Sequence, residues 1–131
     1  MLTLTTTTSQ REELKDITGL INQVLSQNNW QNGILIVFSP HTTAGITINE
    51  GADPAVSRDI LVTLTRLIPK QGDYLHLEGN SDAHLKTSLI GSSVQVIVED
   101  KTLSLGTWQK VFLAEFDGPR KRKIWLKFLS G

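Results

Sequence analysis

The chain has 131 residues, a formal net charge of zero and no cysteine. Its length fits a single domain over residues 1–131, and the lack of cysteine excludes disulfides, thiolate metal sites and cysteine nucleophiles. The longest apolar run covers residues 34–38, far below the roughly 20 residues that span a bilayer. We therefore expect a cytoplasmic protein without a membrane anchor, and without a secretory leader because no basic start precedes an apolar segment.

The N-terminal segment predicts a strand followed by a helix. Residues 2–8 are mostly threonine and leucine, and β-branched residues favour a strand. Ser9 and Glu12 have the spacing of a capping box, which predicts a helix starting at Ser9. Apolar residues continue at helical spacing as far as Leu25.

Two strands and a second helix should follow. Residues 34–38 predict a buried strand, and residues 43–49 alternate in the manner of the next strand. Asp53 can cap a helix, Pro54 suits its first position, and the helix should end before Pro69.

The second half predicts a short helix and then mostly strands. The short helix should run from Asp82 to Ile90, with Gly91 as its stop. The later strands are predicted at residues 93–98, near 103, at 110–115 and at 123–129. The order predicts a compact α+β fold, with a mixed, mainly antiparallel sheet, two long helices and one short helix.

Positive charge is concentrated at the C-terminal end, where residues 118–131 carry five cations and no acidic side chain. Such a run can bind phosphate or nucleic acid. Because only four basic residues are contiguous and no aromatic ladder accompanies them, a charged, solvated edge strand is favoured. We expect neither a nucleic-acid partner nor a membrane partner.

The three histidines all lie in polar stretches. His41 follows a predicted strand, where functional side chains are common. His76 and Glu78 share one side of an extended segment, and His84 falls in the first turn of the short helix, where N–H groups and the helix dipole favour anions. The alternatives are scattered structural histidines and a shared site; the neighbouring polar residues favour the site.

A third unusual stretch covers residues 105–122. Trp108 and Gln109 suit contact with a flat ligand, although a core role for Trp108 is equally compatible with the sequence. Arg120 can clamp a phosphate or pair with Glu115 or Asp117. No P-loop, dinucleotide-binding or G-x-S-x-G motif is present.

Three of these stretches together resemble the YjbQ-like family, often labelled the secondary thiamine-phosphate synthase family: "HTTAGITINEG", "HLEGNSDAHLKTSLIGSSVQV" and "LGTWQKVFLAEFDGPRKR". The resemblance extends over nearly the whole chain. It implies a compact α+β fold and a homotrimer with sites near subunit interfaces. It also implies a transferase that joins a pyrimidine diphosphate to a thiazole phosphate, which in some members is a side activity.

Carried over position by position, the resemblance implies a polar site. Its predicted catalytic residues are His41, Glu50, Asp82 and His84. Its predicted phosphate- and substrate-binding residues are Thr42, Thr43, Asn49, Asn80, Gln109 and Arg120. A divalent metal, zinc or magnesium, is expected at His41, His76 and His84, or beside the carboxylates of Glu50 and Asp82.

Three functions remain open on these residues. The first is the thiamine-phosphate type of transferase acting on a small phosphorylated metabolite. The second is a metal-assisted hydrolase or another phosphate-handling enzyme that uses the three histidines. The third is a non-enzymatic trimer that binds a small anion or a metal.

Overall fold

The computed structural model describes residues 1–131 and contains eight strands and three helices. The strands are β1 (Leu2–Thr7), β2 (Glu13–Asp16), β3 (Gly33–Phe38), β4 (Ala44–Glu50), β5 (Ser93–Glu99), β6 (Thr102–Leu103), β7 (Gln109–Glu115) and β8 (Lys121–Ser130). The helices are α1 (Thr18–Gln27), α2 (Pro54–Leu67) and α3 (Ser81–Ile90). The predicted α+β fold is confirmed, although α1 and α3 have the same length of 10 residues.

The strands form two sheets in place of the single sheet expected. One sheet has five strands in the order β1-β8-β3-β5-β6, and the other has three in the order β2-β7-β4. Every strand pair is antiparallel. Strands β8 and β7 therefore lie inside their sheets, where both edges form hydrogen bonds.

Two apolar clusters hold these layers together. The larger has 15 buried residues from both sheets and α1, including Leu35, Leu113 and Ile124. The smaller contains Phe116 and Leu64 and joins the three-stranded sheet to α2 and α3. The three-stranded sheet is thus covered on both faces, which is why all residues from Val111 to Phe116 are buried.

The predicted start of the first helix is wrong. The N–H group of Ser9 donates to the Glu13 carboxylate at 2.8 Å, and residues 13–16 then form β2. Helix α1 begins only at Thr18. The capping-box spacing is overruled because β2 pairs with β7, so Leu14 packs in the smaller cluster instead of on a helix stripe.

Two strand predictions also need correction. Strand β3 buries Leu35 and Val37 but leaves Ile34 and Phe38 exposed, so it is not buried on both faces. The basic C-terminal run forms β8, which lies between β1 and β3 and is not an edge strand. Lys121, Lys123 and Lys127 of this strand face outward from the sheet, whereas Arg122 faces inward and is buried.

Helices α2 and α3 begin close to their predicted positions. Asp53 caps α2 by accepting the Ala55 N–H at 2.9 Å, and Pro54 occupies the first helical position as predicted. Asn80, and not Asp82, holds the N-cap position of α3. No helix of this fold combines the length and apolar character that crossing a membrane requires.

Candidate functional site

An open cleft of about 420 Å³ lies between the loop that precedes α3 and the first turns of α3. We call it the histidine cleft; its lining residues are Asp73, Tyr74, Leu75, His76, Ser81, His84 and Leu85. The His76 and His84 rings meet there, with centroids 5.2 Å apart and planes at 86°. Two of the three predicted imidazoles therefore converge within one chain.

Local sequence explains how the two rings are brought together. Gly79 adopts a φ of 77°, a conformation that glycine reaches without strain, and it turns the chain into α3. The N–H groups of Ala83 and His84 then donate to the Asn80 carbonyl at 3.0 and 3.3 Å. His84 consequently lies near the positive end of the helix dipole, as predicted.

A group of four charged side chains anchors α3 on its other side; we call it the α3 charge cluster. It consists of Arg11, Glu12, Asp82 and Lys86. Arg11 donates to both Asp82 oxygens at 3.0 and 3.2 Å, and the Lys86 ammonium lies 3.4 Å from the same carboxylate. The Asp82 and Lys86 side chains are both 0% exposed.

These contacts change the interpretation of Asp82. Burial on its own would raise the pKa of Asp82, but hydrogen bonds and charges from Arg11 and Lys86 outweigh burial and lower that pKa. Asp82 is therefore an ionised, fully paired group in this chain. The sequence had suggested that Asp82 caps α3 or binds magnesium. In the structure Asp82 does not cap α3, and its carboxylate presents no free oxygen to magnesium.

Asn80 and Arg120 meet at a second polar contact. The Asn80 amide donates to the Asp117 carboxylate at 2.8 Å, and the Arg120 guanidinium pairs with the same carboxylate at 2.9 Å. The side-chain oxygen of Asn80 is buried and has no hydrogen-bond partner. Of the two alternatives for Arg120, the structure shows the ion pair with Asp117.

His41 lies in a different setting, which we call the His41 pocket. Its Nε2 atom accepts the Lys123 N–H at 2.9 Å, which places the proton of a neutral ring on Nδ1. Burial and the positive charge of Arg122 lower the pKa of His41. The ring is thus held neutral, and its Nε2 lone pair is already engaged.

A buried ion pair supports this pocket at one end of the space between the sheets. Arg122 pairs with Glu115, and its guanidinium also donates to the Thr43 hydroxyl at 2.9 Å. The Thr8 hydroxyl donates to Oε1 of Glu115 at 2.7 Å, the oxygen that also accepts from Nε of Arg122. Burial opposes ionisation of Glu115, yet hydrogen bonds from Arg122 and Thr8 lower its pKa.

Glu50, Asn49 and Gln109 lie at the far end of β4 from the His41 pocket, and none of them lines the histidine cleft. Glu50 pairs in register with Gln109, whereas Ala44, next to Thr43, pairs with Glu115 at the other end of β4. Six residue steps along a strand separate those ends by about 20 Å. Asn49 lies beside Glu50, and Thr42 is exposed after His41.

In the stretch of residues 105–122, Trp108 and Gln109 differ in whether they are available to a ligand. The Trp108 side chain is 62% exposed and does not anchor the core. The Gln109 side chain turns back and accepts the Gly106 N–H at 2.8 Å. The exposed indole of Trp108 is accessible for stacking against a ligand. The side-chain amide of Gln109 instead stabilises the turn that begins at Gly106.

Within one chain, no group of three or more His, Asp or Glu side chains is arranged to hold a metal. His76 and His84 supply two imidazoles, but His41 lies in its own pocket. A catalytic zinc site needs three protein ligands. The residues of one chain therefore do not fit the predicted three-histidine metal site.

Sequence reasoning missed the ion pairs of the α3 charge cluster. Asp82 and Lys86 are four residues apart, a spacing that signals a helical ion pair and could have been found. The partners Arg11 and Glu12 lie 71 and 74 residues away from them, and no local pattern marks such contacts.

Comparison with known proteins agrees with this fold. The chain matches the family described as "UPF0047 protein YjbQ-like" over residues 2–131. The chain belongs to the YjbQ/UPF0047 family. One relative, the UPF0047 protein MJ1081 of Methanocaldococcus jannaschii, is 53% identical over 123 residues, which cover 94% of this chain and 89% of the relative. YugU of Bacillus subtilis is 44% identical over 129 residues, or 98% of each chain.

Solved structures in the family share the architecture. A YjbQ/UPF0047 protein from Clostridium acetobutylicum has a TM-score of 0.94 and 51% identity, covering 98% of this chain and 100% of that one. A conserved protein from Thermus thermophilus has a TM-score of 0.93 and 44% identity, with the same coverage. The α+β fold is therefore common to the family.

Proposed function

We propose that the histidine cleft binds a small phosphorylated metabolite and that the protein is a transferase of the thiamine-phosphate type. The observation that carries this proposal is the His76–His84 pair beside the amino-terminal turn of α3. Imidazole N–H groups and the positive end of a helix are complementary to phosphate oxygens. The family resemblance supplies the reaction class.

The proposed reaction displaces pyrophosphate. The bond between the pyrimidine-bearing carbon and the diphosphate oxygen breaks, the thiazole nitrogen supplies the electron pair of the new carbon–nitrogen bond, and pyrophosphate leaves with the old pair. His76 and His84 would donate hydrogen bonds to the departing oxygens, where charge develops. The hydroxyl of Ser81, which also lines the cleft, could orient the same phosphate.

We also propose a homotrimer. Leu75 and Leu77 flank His76 and are 93% and 96% exposed, which is unusual for leucine and supports cover by another subunit. In such an assembly His41, Glu50, Asn49 and Gln109, which lie away from the cleft in one chain, could reach a neighbouring cleft.

A metal-assisted phosphate hydrolase is the second candidate, because two imidazoles already converge. It would need a further ligand from a neighbouring chain, and we assign no step to a metal. A non-enzymatic trimer that binds a small anion is the third.

The first test measures pyrophosphate release from a pyrimidine diphosphate and a thiazole phosphate. His76→Asn and His84→Asn should each lower turnover at least about 10²-fold, because each removes a donor to the departing oxygens. Arg58→Gln, an exposed change on α2, should leave turnover unaltered. Wild-type turnover in both histidine variants would refute the transferase assignment, and a rate far below ~1 s⁻¹ would indicate a side activity.

Two further measurements separate the alternatives. Calorimetric titration with inorganic pyrophosphate should show binding that His84→Asn weakens; binding without turnover favours the non-enzymatic trimer. Elemental analysis of protein purified without chelator, together with hydrolysis of a simple phosphate ester before and after chelation, tests the hydrolase. Stoichiometric metal and a chelation-sensitive rate would favour it.

A further inference from the structure

Helix α3 is attached to the fold in an unusual way. The residues that it buries are Asp82, Ala83, Lys86 and Thr87, of which only Ala83 is apolar. Leu85 and Leu89 are exposed instead. A surface helix normally turns its apolar stripe inward. This helix turns charges inward and leaves leucines outside, so its position depends strongly on ion pairs.

The α3 charge cluster supplies those ion pairs from several segments. Lys86 reaches Glu12 at 2.9 Å and the Thr65 hydroxyl of α2 at 3.4 Å, while Arg11 bridges Glu12 and Asp82. Two cations and two anions alternate, so the cluster carries no net charge. The cluster therefore connects the segment before β2 with both α2 and α3.

His84 lies on the opposite side of the helix from this cluster. It is two residues from Asp82 and two from Lys86, or about 200° around the helix axis from each. The cluster thus fixes one side of α3 while the other side presents His84 to the cleft. Ala83 and Ile90 attach α3 to the smaller apolar cluster, and every other contact of its buried side is made by polar side chains.

We propose that Arg11, Glu12, Asp82 and Lys86 are positioning residues that hold His84 against His76 without contacting the ligand. This inference rests on the proposed function only for its activity readout. The His41 pocket offers a matched internal control, because the buried Arg122–Glu115 pair lies beside His41 and belongs to a different cluster.

The experiment uses the ring signals of the three histidines in proton–nitrogen NMR spectra of the full chain. Each signal is assigned by replacing one histidine at a time with Gln. Lys86→Met should shift the His84 signals and abolish the nuclear Overhauser effect between the His76 and His84 rings, with His41 unmoved. Arg122→Met should shift the His41 signals and leave the His84 signals and the contact between the His76 and His84 rings unchanged. Lys86→Arg, which keeps the charge, should retain the contact between the His76 and His84 rings.

Activity adds a second readout. If the protein is a transferase, Lys86→Met should lower kcat about 10²-fold, the size expected for a misplaced catalytic group. A wild type without transferase activity would refute the proposed function, while the NMR contact would still decide the positioning role.

Unmoved His84 signals in a folded Lys86→Met variant would overturn the inference. Should circular dichroism show that this variant does not fold, Glu12→Gln is the milder substitute, because it keeps the size of the side chain and removes only the charge that pairs with Arg11 and Lys86. Glu12→Gln should shift the His84 signals and spare His41; unchanged His84 signals in a folded Glu12→Gln variant would overturn the proposal equally.

Discussion

The two histidine regions of this protein differ in how firmly the fold defines them. His41 has its Nε2 atom bound to the Lys123 N–H and lies beside a buried ion pair. His76 and His84 line an open cleft, and the nearest acidic group to His76 is Glu78 at 3.8 Å. One region fixes the proton and the ring, whereas the other leaves both rings available.

This difference separates two kinds of chemistry. A neutral imidazole with a defined tautomer and an engaged Nε2 atom suits a fixed hydrogen-bond donor that acts through Nδ1. A pair of accessible imidazoles beside a helix terminus suits the capture of a ligand that varies in position. The contrast can be tested by disturbing each region separately.

The largest effect is expected in the His41 pocket. Arg122→Met leaves the Glu115 carboxylate buried without its cation, which should lower the free energy of unfolding by about 3–5 kcal/mol. Urea denaturation followed by circular dichroism measures this loss. The control Arg58→Met breaks an exposed ion pair and should cost no more than about 1 kcal/mol. Equal midpoints for the two variants would show that burial of the Arg122 pair adds nothing.

Acid should weaken both the Arg122–Glu115 ion pair and the α3 charge cluster. The pKa values of Glu115 and Asp82 are lowered in the folded chain, from ordinary values of 4.5 and 3.8. Their contribution is complete above those ordinary values and is lost as the pH falls through the lowered ones. Urea midpoints should therefore fall as the pH drops below about 4.5. Glu115→Gln should flatten part of that fall; a slope identical to the wild type would contradict it.

His41 should titrate below its ordinary pKa of 6.5 because burial and Arg122 disfavour its charged form. The unfolded chain then binds a proton before the folded chain does, so stability should decline as the pH falls below 6.5. Nitrogen NMR should also report the proton on Nδ1 at neutral pH. A proton on Nε2 would contradict the hydrogen bond from Lys123.

The smallest effect on stability is expected at the cleft rim. Leu77 is nearly fully exposed, so Leu77→Ser should change the free energy of unfolding of the protomer by no more than about 0.5 kcal/mol. Analytical ultracentrifugation of the same variant tests the proposed trimer, whose association should weaken. Unchanged sedimentation would mean that Leu77 does not contribute to assembly.

Local chemistry accounts for the parts of the fold that sequence reasoning predicted well. Pro54 and Asp53 mark the start of α2 because their effects act within one helical turn. The helix prediction for residues 13–16 was wrong because their pairing with β7, about 100 positions away, outweighs the capping signal at Ser9. Alternation predicted the positions of most strands, but no local signal divides them between two sheets.

In the candidate site, too, local contacts could be predicted from the sequence and contacts between distant segments could not. Polar spacing drew attention to His76 and His84, and the turn at Gly79 brings them together. The sequence could not show that Lys123 engages His41, because that contact joins residues 82 positions apart. Arg11 and Glu12 lie 71 and 74 positions from Asp82 and Lys86, so these contacts follow from the tertiary fold alone.

The interior position of β8 bears on how this chain is made. Strand β8 is the last strand of the fold, yet it lies between β1 and β3, which are synthesised much earlier. The five-stranded sheet cannot close while β8 is still inside the ribosome. Strands β1 and β3 must therefore wait with unpaired edges during translation, and these are the segments on which a chaperone would be expected to act.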